Sequence, residues 1–577
     1  MRLKRIAFKA FIILLVAVST PLLHQTVSFS KTQVLSLSSN ARSSEADQLL
    51  QQGIEQFQSG QFEAAKQSNQ QALTIYQDVG DSLRDNSPNV ANPSLTATLT
   101  RKSWVQSLNN LGLFLYKEGQ LKEAERTLRN GIQVWESLGA RLDSSDADKI
   151  SILETQATTY RLLQKVLIAQ NKIDTALEIA ERGRTLAFME LLAARSNEAP
   201  TVASMIPPPT IKQIQQIAKT QNATLVEYSL IYDHLDELGQ PQTQESELFI
   251  WVIQPTGEVT FRKSDLKPLW QGQTTTLAAF VNTVRQFLAE GEGSVGNYQR
   301  KKVRPFEQLY QVLIEPIADK LPTNPEARVI FIPQKSLFMI PFAPLQDAFG
   351  KYLIEQHTIL TAPAIMLLSL THQHRQHIPK SVKEWLVVGD PEPMPLNFRP
   401  LPAAKQEALA IASLMNTQAI TGKVATKAEI LQRMPSSRVI HLATHAILDE
   451  RQGLDSAIAL SAASTDNGWL TASEILDLKL SAELVVLSAC NTGRGSITGD
   501  GFIGLSSSVI LSGASSAIVT LWSIPDSPTA FLMKTFYQQL QQNPDKAQAL
   551  RQAMLTTMKK RPALRDWAAF TLIGEAE

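Results

Sequence analysis

The sequence predicts two architectures in one chain: an α-helical solenoid first, then an α/β domain with a mostly parallel central sheet. Small residues recur at fixed offsets through residues 43–195, the mark of helices packed in pairs. Beyond position 210, short apolar runs alternate with helical patterns, which argues for parallel strands covered on both faces. A proline-bearing stretch separates the two regions. At 577 residues the chain exceeds a single core. A hydrophobic content of 44% and a charged content of 19% suit a folded globular protein. The net charge of +1 gives no electrostatic case for nucleic acid, and none is expected as a partner. One cysteine excludes an internal disulfide framework and a thiolate metal cluster.

Residues 1–30 read as an export signal. Arg2, Lys4, Arg5 and Lys9 form a basic start, and Ala10 to Val18 an apolar core. Ser28 and Ser30 fit the −3 and −1 positions of a cleavage site. The run is shorter than the ~20 residues of a spanning helix, so membrane contact is expected only through this segment if it stays uncleaved. The expected location is periplasmic or extracellular.

In the repeat region three segments share a register. They carry Gly53, Phe57, Gly60, Ala65 and Ala72; Leu111, Gly112, Gly119, Ala124 and Gly131; and Tyr160, Asn171, Ala176 and Gly183. Counted from Gly60, Gly119 or Asn171, a small residue returns at +5 and +12. Two antiparallel helices approach closely at such positions. The pattern resembles the tetratricopeptide repeat, with extended loops between its copies. Single repeats cannot bury their faces alone, so stacking into a solenoid that offers a concave surface to a protein or peptide is expected.

Asn197 to Thr210 carries Pro207–Pro209 and marks a linker over residues 196–210. The second domain is assigned to 211–577, with an N-terminal part to 322 and a catalytic part from 323. Its strands are expected at Thr224–Ile231, Leu248–Gln254, Arg328–Ile332, Trp385–Val388, Arg438–Ala443, Leu484–Leu487 and Ser516–Leu521.

Two of these strands end in reactive side chains. Leu484–Leu487 runs into Cys490, and Arg438–Ala443 runs into His445. Open α/β sheets bind ligands at the carboxyl ends of their strands. The two residues lie 490 − 445 = 45 positions apart, so adjacent parallel strands would bring thiol and imidazole together. A zinc reading of His441 and His445 needs a helix to align positions i and i+4, whereas Val439, Ile440 and Thr444 favour a strand. Gly499 to Gly504 lacks the Lys-Ser/Thr ending of a phosphate loop. No metal and no cofactor are expected. His441, four residues before His445, reads as a supporting or core residue.

The region from about residue 205 to the C-terminus resembles the CHAT domain, a caspase-like, separase-related module often joined to tetratricopeptide repeats. The matching residues include Gly389-Asp390-Pro391, His441-Leu442-Ala443-Thr444-His445, Leu487-Ser488-Ala489-Cys490, Gly499-Asp500-Gly501, Gly513-Ala514, Leu521-Trp522 with Asp526, and Trp567-Ala568-Ala569-Phe570. The resemblance implies a caspase-like α/β domain in which Cys490 is the nucleophile and His445 the acid/base. Oxyanion donors would be the backbone N–H groups of Cys490 and Ala446. The family usually has Gly where Ala446 stands. Asp500 and Asp526 occupy family positions and are candidates for a substrate pocket that takes a basic side chain. The resemblance therefore implies an exported bacterial cysteine endopeptidase that recruits a protein substrate through its repeats. The rival reading is a non-cleaving interaction scaffold.

A reporter fused after Lys31 is expected outside the cytoplasm; fractionation that finds it wholly in the cytoplasm removes the export reading.

Overall fold

The computed structural model of the chain describes residues 31–85, 95–138, 146–193, 207–235, 241–269, 276–290, 304–449, 453–464, 466–498 and 501–577. The expected export signal, most of the expected linker and Asp500 lie outside them. No described helix is long and apolar enough to cross a membrane.

Three helical hairpins open the fold. They are α1 (Lys31–Gln58) with α2 (Phe62–Asp85), α3 (Leu95–Lys117) with α4 (Leu121–Leu138), and α5 (Asp146–Ala169) with α6 (Ile173–Ala193). Gly60, Gly119 and Asn171 sit in the turns with φ of 76°, 77° and 59°. Each turn closes the first helix from beyond its end, as when Gln120 N donates to Leu115 O at 2.8 Å and Lys172 N to Leu167 O at 2.9 Å. Glycine or asparagine is required there because other residues avoid the left-handed region. Ala65, Ala124 and Ala176 are fully buried between the paired helices. A β-carbon on Gly183 would meet the Tyr160 ring at 3.2 Å, which explains the small residue at that offset. Successive hairpins pack on one another, with α3 touching both α1 and α5. Helix α1 starts ahead of residue 43 because its Ser-rich first turns carry no apolar period to read.

Helix α7 (Ile211–Gln221) leads into the sheet domain. The N-terminal strands are β1 (Ala223–Leu235), β2 (Pro241–Ile253), β3 (Val259–Asp265), β4 (Arg328–Ile332) and β5 (Thr358–Thr361). There follow β6 (Glu384–Pro391), β7 (Ala419–Gly422), β8 (Ser437–Ala443), β9 (Ala446–Ile447), β10 (Ala457–Ala459) and β11 (Trp469–Thr471). The last are β12 (Leu484–Ser488), β13 (Gly495–Thr498), β14 (Gly501–Gly504), β15 (Ser516–Thr520) and β16 (Phe570–Gly574). Eleven strands form one sheet, in the order β3-β2-β1-β4-β5-β16-β15-β12-β8-β6-β7. Pairing is antiparallel along β3–β2–β1 and between β16 and β15, and parallel elsewhere. Beyond the antiparallel edge formed by β3 and β2, the sheet thus consists of two parallel blocks of opposite sense that meet at the β15–β16 seam. Val485 and Leu487 of β12 pack into a core on one face, and Leu484 and Val486 into a core on the other. Both faces are buried, so the strands read as continuous apolar runs.

The last repeat is locked to the sheet by a buried charge cluster. Arg184, on α6, is fully buried. Its guanidinium donates to Glu227 Oε1 at 3.1 Å, to Pro333 O at 2.7 Å, and to Tyr228 O. Glu181, one turn earlier, accepts from Met366 N at 2.8 Å, at the start of the helix Ile365–His377. Burial pushes the Glu227 carboxyl well above the usual carboxylate range; Arg184 opposes this and the Glu181 charge adds to it. Burial likewise raises Glu181. Around the rim, Lys335 Nζ meets Glu154 of α5 at 2.9 Å and Trp251 Nε1 donates to Ile173 O at 3.3 Å.

Arg184→Met is expected to destabilise the chain by about 3–5 kcal/mol, because it leaves buried carboxyls without their cation. The raised carboxyls bind protons more tightly in the folded state. Their contribution is therefore complete at low pH and lost as pH rises above the ordinary glutamate range. Melting temperatures followed from pH 5 upward should fall less steeply for Glu227→Gln than for the wild type.

Candidate active site

The site is set by the register of two strands. β8 and β12 pair in parallel with Ala443 opposite Ser488, an offset of 45 that also separates His445 from Cys490. The ladder continues one step further, with Thr444 N donating to Ser488 O at 3.3 Å. Thiol and imidazole thus leave the sheet at the same level, both partly exposed.

The chain turns sharply after Cys490, and hydroxyls hold the turn. Thr492 Oγ1 donates to Leu487 O at 3.0 Å and accepts from Thr520 N at 3.0 Å, while Thr520 Oγ1 donates to Ala489 O. Asn491 takes φ 59°, and Gly493 N donates to Thr520 O at 2.8 Å. A β-carbon on Gly493 would lie 2.8 Å from Val519, so only glycine lets the turn press on β15.

His445 is oriented from a loop that no sequence pattern singled out. Its Nε2 lies 3.0 Å from Arg399 O. A carbonyl only accepts, so the neutral ring carries its proton on Nε2 and its lone pair on Nδ1. Phe398 stacks on the ring at 4.7 Å between centroids and 25° between planes, and stands edge-on to Trp469. The loop is fixed by Asp390, buried at the end of β6 with φ 48°, whose Oδ1 accepts from Leu401 N at 2.7 Å. His445 makes no hydrogen bond to Cys490; such contacts often tighten only when substrate is bound.

Ala446 opens β9 and pairs with Ile458. It is not among the residues with positive φ, so its methyl group meets no left-handed penalty. His441 is fully buried between Glu407 Oε1 at 2.8 Å and Tyr537 Oη at 3.1 Å, away from solvent and apart from the thiol. Asp526 is only partly buried, and its Oδ2 accepts from Ala403 N at 3.0 Å, at the start of the helix Pro402–Leu414. That carboxylate already serves a helix N-terminus. Asp500 lies outside the described residues. Among the described residues no group of three or more His, Cys, Asp or Glu is arranged to hold a metal.

Thr492 belongs to the polar turn expected after the nucleophile, whereas nothing in the sequence pattern points to Phe398, Arg399 and Thr520 as site residues. Gly389-Asp390-Pro391 was the one available signal for the supporting loop.

A helical-repeat region precedes an α/β domain that brings a thiol and an imidazole to one sheet edge. Residues 303–575, behind the helical hairpins, match the model of the CHAT domain. Tetratricopeptide repeat protein 28 of Mus musculus is 24% identical over 595 aligned positions, covering 81% of this chain and 24% of the relative. The Homo sapiens protein of the same name gives the same figures. The chain therefore spans about a quarter of the length of these curated relatives. Among solved structures, a Saccharomyces cerevisiae separase–securin complex aligns with a TM-score of 0.47 at 11% identity, over 89% of this chain and 44% of that one.

Asp390→Ala should remove the acceptor for Leu401 N, destabilise by about 1–3 kcal/mol, and let the Phe398–Arg399 loop drift. Alkylation of Cys490 by iodoacetamide should then slow by roughly tenfold, since thiolate formation depends on the neighbouring imidazole. Asp390→Asn, which keeps the acceptor, should retain most of the rate.

Proposed function

We propose that the chain is an exported cysteine endopeptidase that recruits a protein substrate through its repeats and cleaves it with Cys490 and His445. The observation that carries this reading is the shared β8–β12 offset, which brings the only thiol and a carbonyl-oriented imidazole to one sheet edge. In this reading the free Nδ1 of His445 takes the proton of the Cys490 thiol. The thiolate sulfur then attacks the scissile carbonyl carbon, and the oxygen gains the negative charge. The N–H groups of Cys490 and Ala446 hold that oxyanion. His445 passes its proton to the departing amine nitrogen as the C–N bond breaks, which leaves a thioester on Cys490. Water, deprotonated by the same imidazole, attacks the thioester, releasing the acid product and restoring the thiol.

The negative φ of Ala446 supports activity in spite of its departure from the family's usual glycine. Arg399 O supplies what a third side chain supplies in a triad: it fixes the tautomer and the ring plane. The basic start and apolar core of residues 1–30 support export, and the stacked hairpins offer the surface for recruitment.

Incubation of the full chain with a proteome should yield new peptide termini. Cys490→Ala and His445→Ala should each abolish them, and the double variant should be no worse, because the pair acts as a unit. A folded chain whose Cys490 resists iodoacetamide, and which yields no new termini, is instead the non-cleaving scaffold.

A further inference from the structure

The small sheet that follows His445 has an open edge. Its strand order is β11-β10-β9, so β9 has a neighbour on one side only. The main-chain groups of β10 alternate in direction. Leu460 N donates to Gly468 O at 2.8 Å and Ala472 N to Ser456 O at 2.7 Å on the β11 side, whereas Ala459 N donates to His445 O at 2.9 Å on the β9 side. Ile458 therefore turns its groups towards β11. Ala446, directly opposite Ile458, is left in a pair without hydrogen bonds. Its N–H and C=O both point off the outer edge of β9, and among the described residues no group is bonded to either.

The two faces of this sheet also differ. Ala446, Ile458 and Leu470 form one row and pack into the core. Residues opposite one another share a face, so His445, Ala459 and Trp469 form a row on the other side. Phe398 lies against both rings of that row. Ile447, two residues after His445, lies on the same face about 7 Å further along the strand. It is apolar and 36% exposed.

An N–H and a C=O of one residue, both unbonded at a strand edge, match one residue of an extended peptide that returns both bonds. The chemistry proposed above fixes the register. An oxyanion held by Ala446 N–H places the attacked carbonyl opposite Ala446. The leaving nitrogen belongs to the next residue and must reach His445, which precedes Ala446. The peptide therefore runs antiparallel to β9. The N–H of the attacked residue then falls on Ala446 O, and the residue before it lies opposite Ile447 with its side chain on the Ile447 face.

We infer that the outer edge of β9 binds the substrate as an added antiparallel strand, with an apolar side chain, one residue before the cleaved position, held against Ile447. This rests on the endopeptidase reading for its register, and it adds the substrate class: extended segments with an apolar residue at that position.

Tripeptidyl chloromethyl ketones test it on the full chain. Their ketone takes the place of the attacked carbonyl, and alkylation of Cys490, followed by intact mass, requires no turnover. Leu in the residue before the ketone residue should react roughly tenfold faster than Asn, the discrimination expected of an apolar contact. That preference should collapse in Ile447→Ser and persist in Ile447→Leu. With the wild-type chain, methylation of the ketone residue's nitrogen should slow alkylation by about tenfold, the value of one hydrogen bond. Methylation of the preceding nitrogen, which faces away from β9, should leave the rate nearly unchanged. Equal rates for Leu and Asn, a preference that survives Ile447→Ser, or equal slowing by the two methyl groups overturns the added strand. If the pattern holds while the wild-type chain cleaves no peptide, the endopeptidase reading falls and the strand site stands. If peptides are cleaved without the pattern, the strand site falls alone. A Cys490 that no ketone alkylates removes both.

Discussion

The parallel pairing of β8 with β12 is the constraint on which the rest depends. A shift of one residue in that register would move His445 away from the level of Cys490 and turn every apolar side chain of β12 to the wrong face. Burial of Val485 and Leu487 on one side and Leu484 and Val486 on the other makes such a slip costly. The precision of the site is thus inherited from the core, and the loops need only refine it. His441 adds to this precision. It sits in the middle of β8, bonded to Glu407 and Tyr537 from two covering helices, and ties the strand to both. Burial and the Glu407 charge push the Tyr537 hydroxyl well above its usual range, so it remains protonated as a neutral bridge.

The refinement comes from backbone groups. Arg399 acts through its carbonyl and Leu401 through its amide, and Thr520 anchors the Cys490 turn through both its amide and its hydroxyl. Such groups are common to every residue, so their roles leave no trace in residue type. This marks the limit of what could be read in advance. His445 and Cys490 were legible because each ends a long apolar run with a polar, reactive side chain. The repeat turns were legible because positive φ at Gly60, Gly119 and Asn171 restricts composition. Strands β5 and β16 were not, since four or five residues of mixed character look like loop until their neighbours supply the ladder.

The charge cluster of Glu181, Arg184 and Glu227 was equally hidden. In sequence, Glu181 and Arg184 look like an exposed pair on a helix surface, three residues apart. Only the docking of α6 against β1 and β4 makes them interior, and only then do the carboxyls depart from their ordinary range. Asp526 shows the converse. In sequence it is an acid within reach of a substrate pocket, but in the fold it serves the N-terminus of a covering helix. An acid near a thiol in sequence carries little information about specificity until its partners are known.

The reversal of strand sense at β15–β16 gives the sheet two carboxyl edges, facing opposite ways. One bears Cys490 and His445. At the other, beyond β4 and β5, lie Pro333 O, an acceptor for a cation, and the amide of Met366 at a helix start, the kind of N–H with which an open α/β sheet ordinarily captures an anionic group. Arg184 and Glu181 occupy them. The sheet therefore holds its own repeats as it would hold a substrate, through a crevice filled by a tethered ligand. Severed from its repeats, the domain would present that crevice vacant, with Glu227 left facing it. The repeat region is therefore a resident occupant of the α/β fold, and exchanging it for another helical array would require the newcomer to carry the same two side chains in the same place.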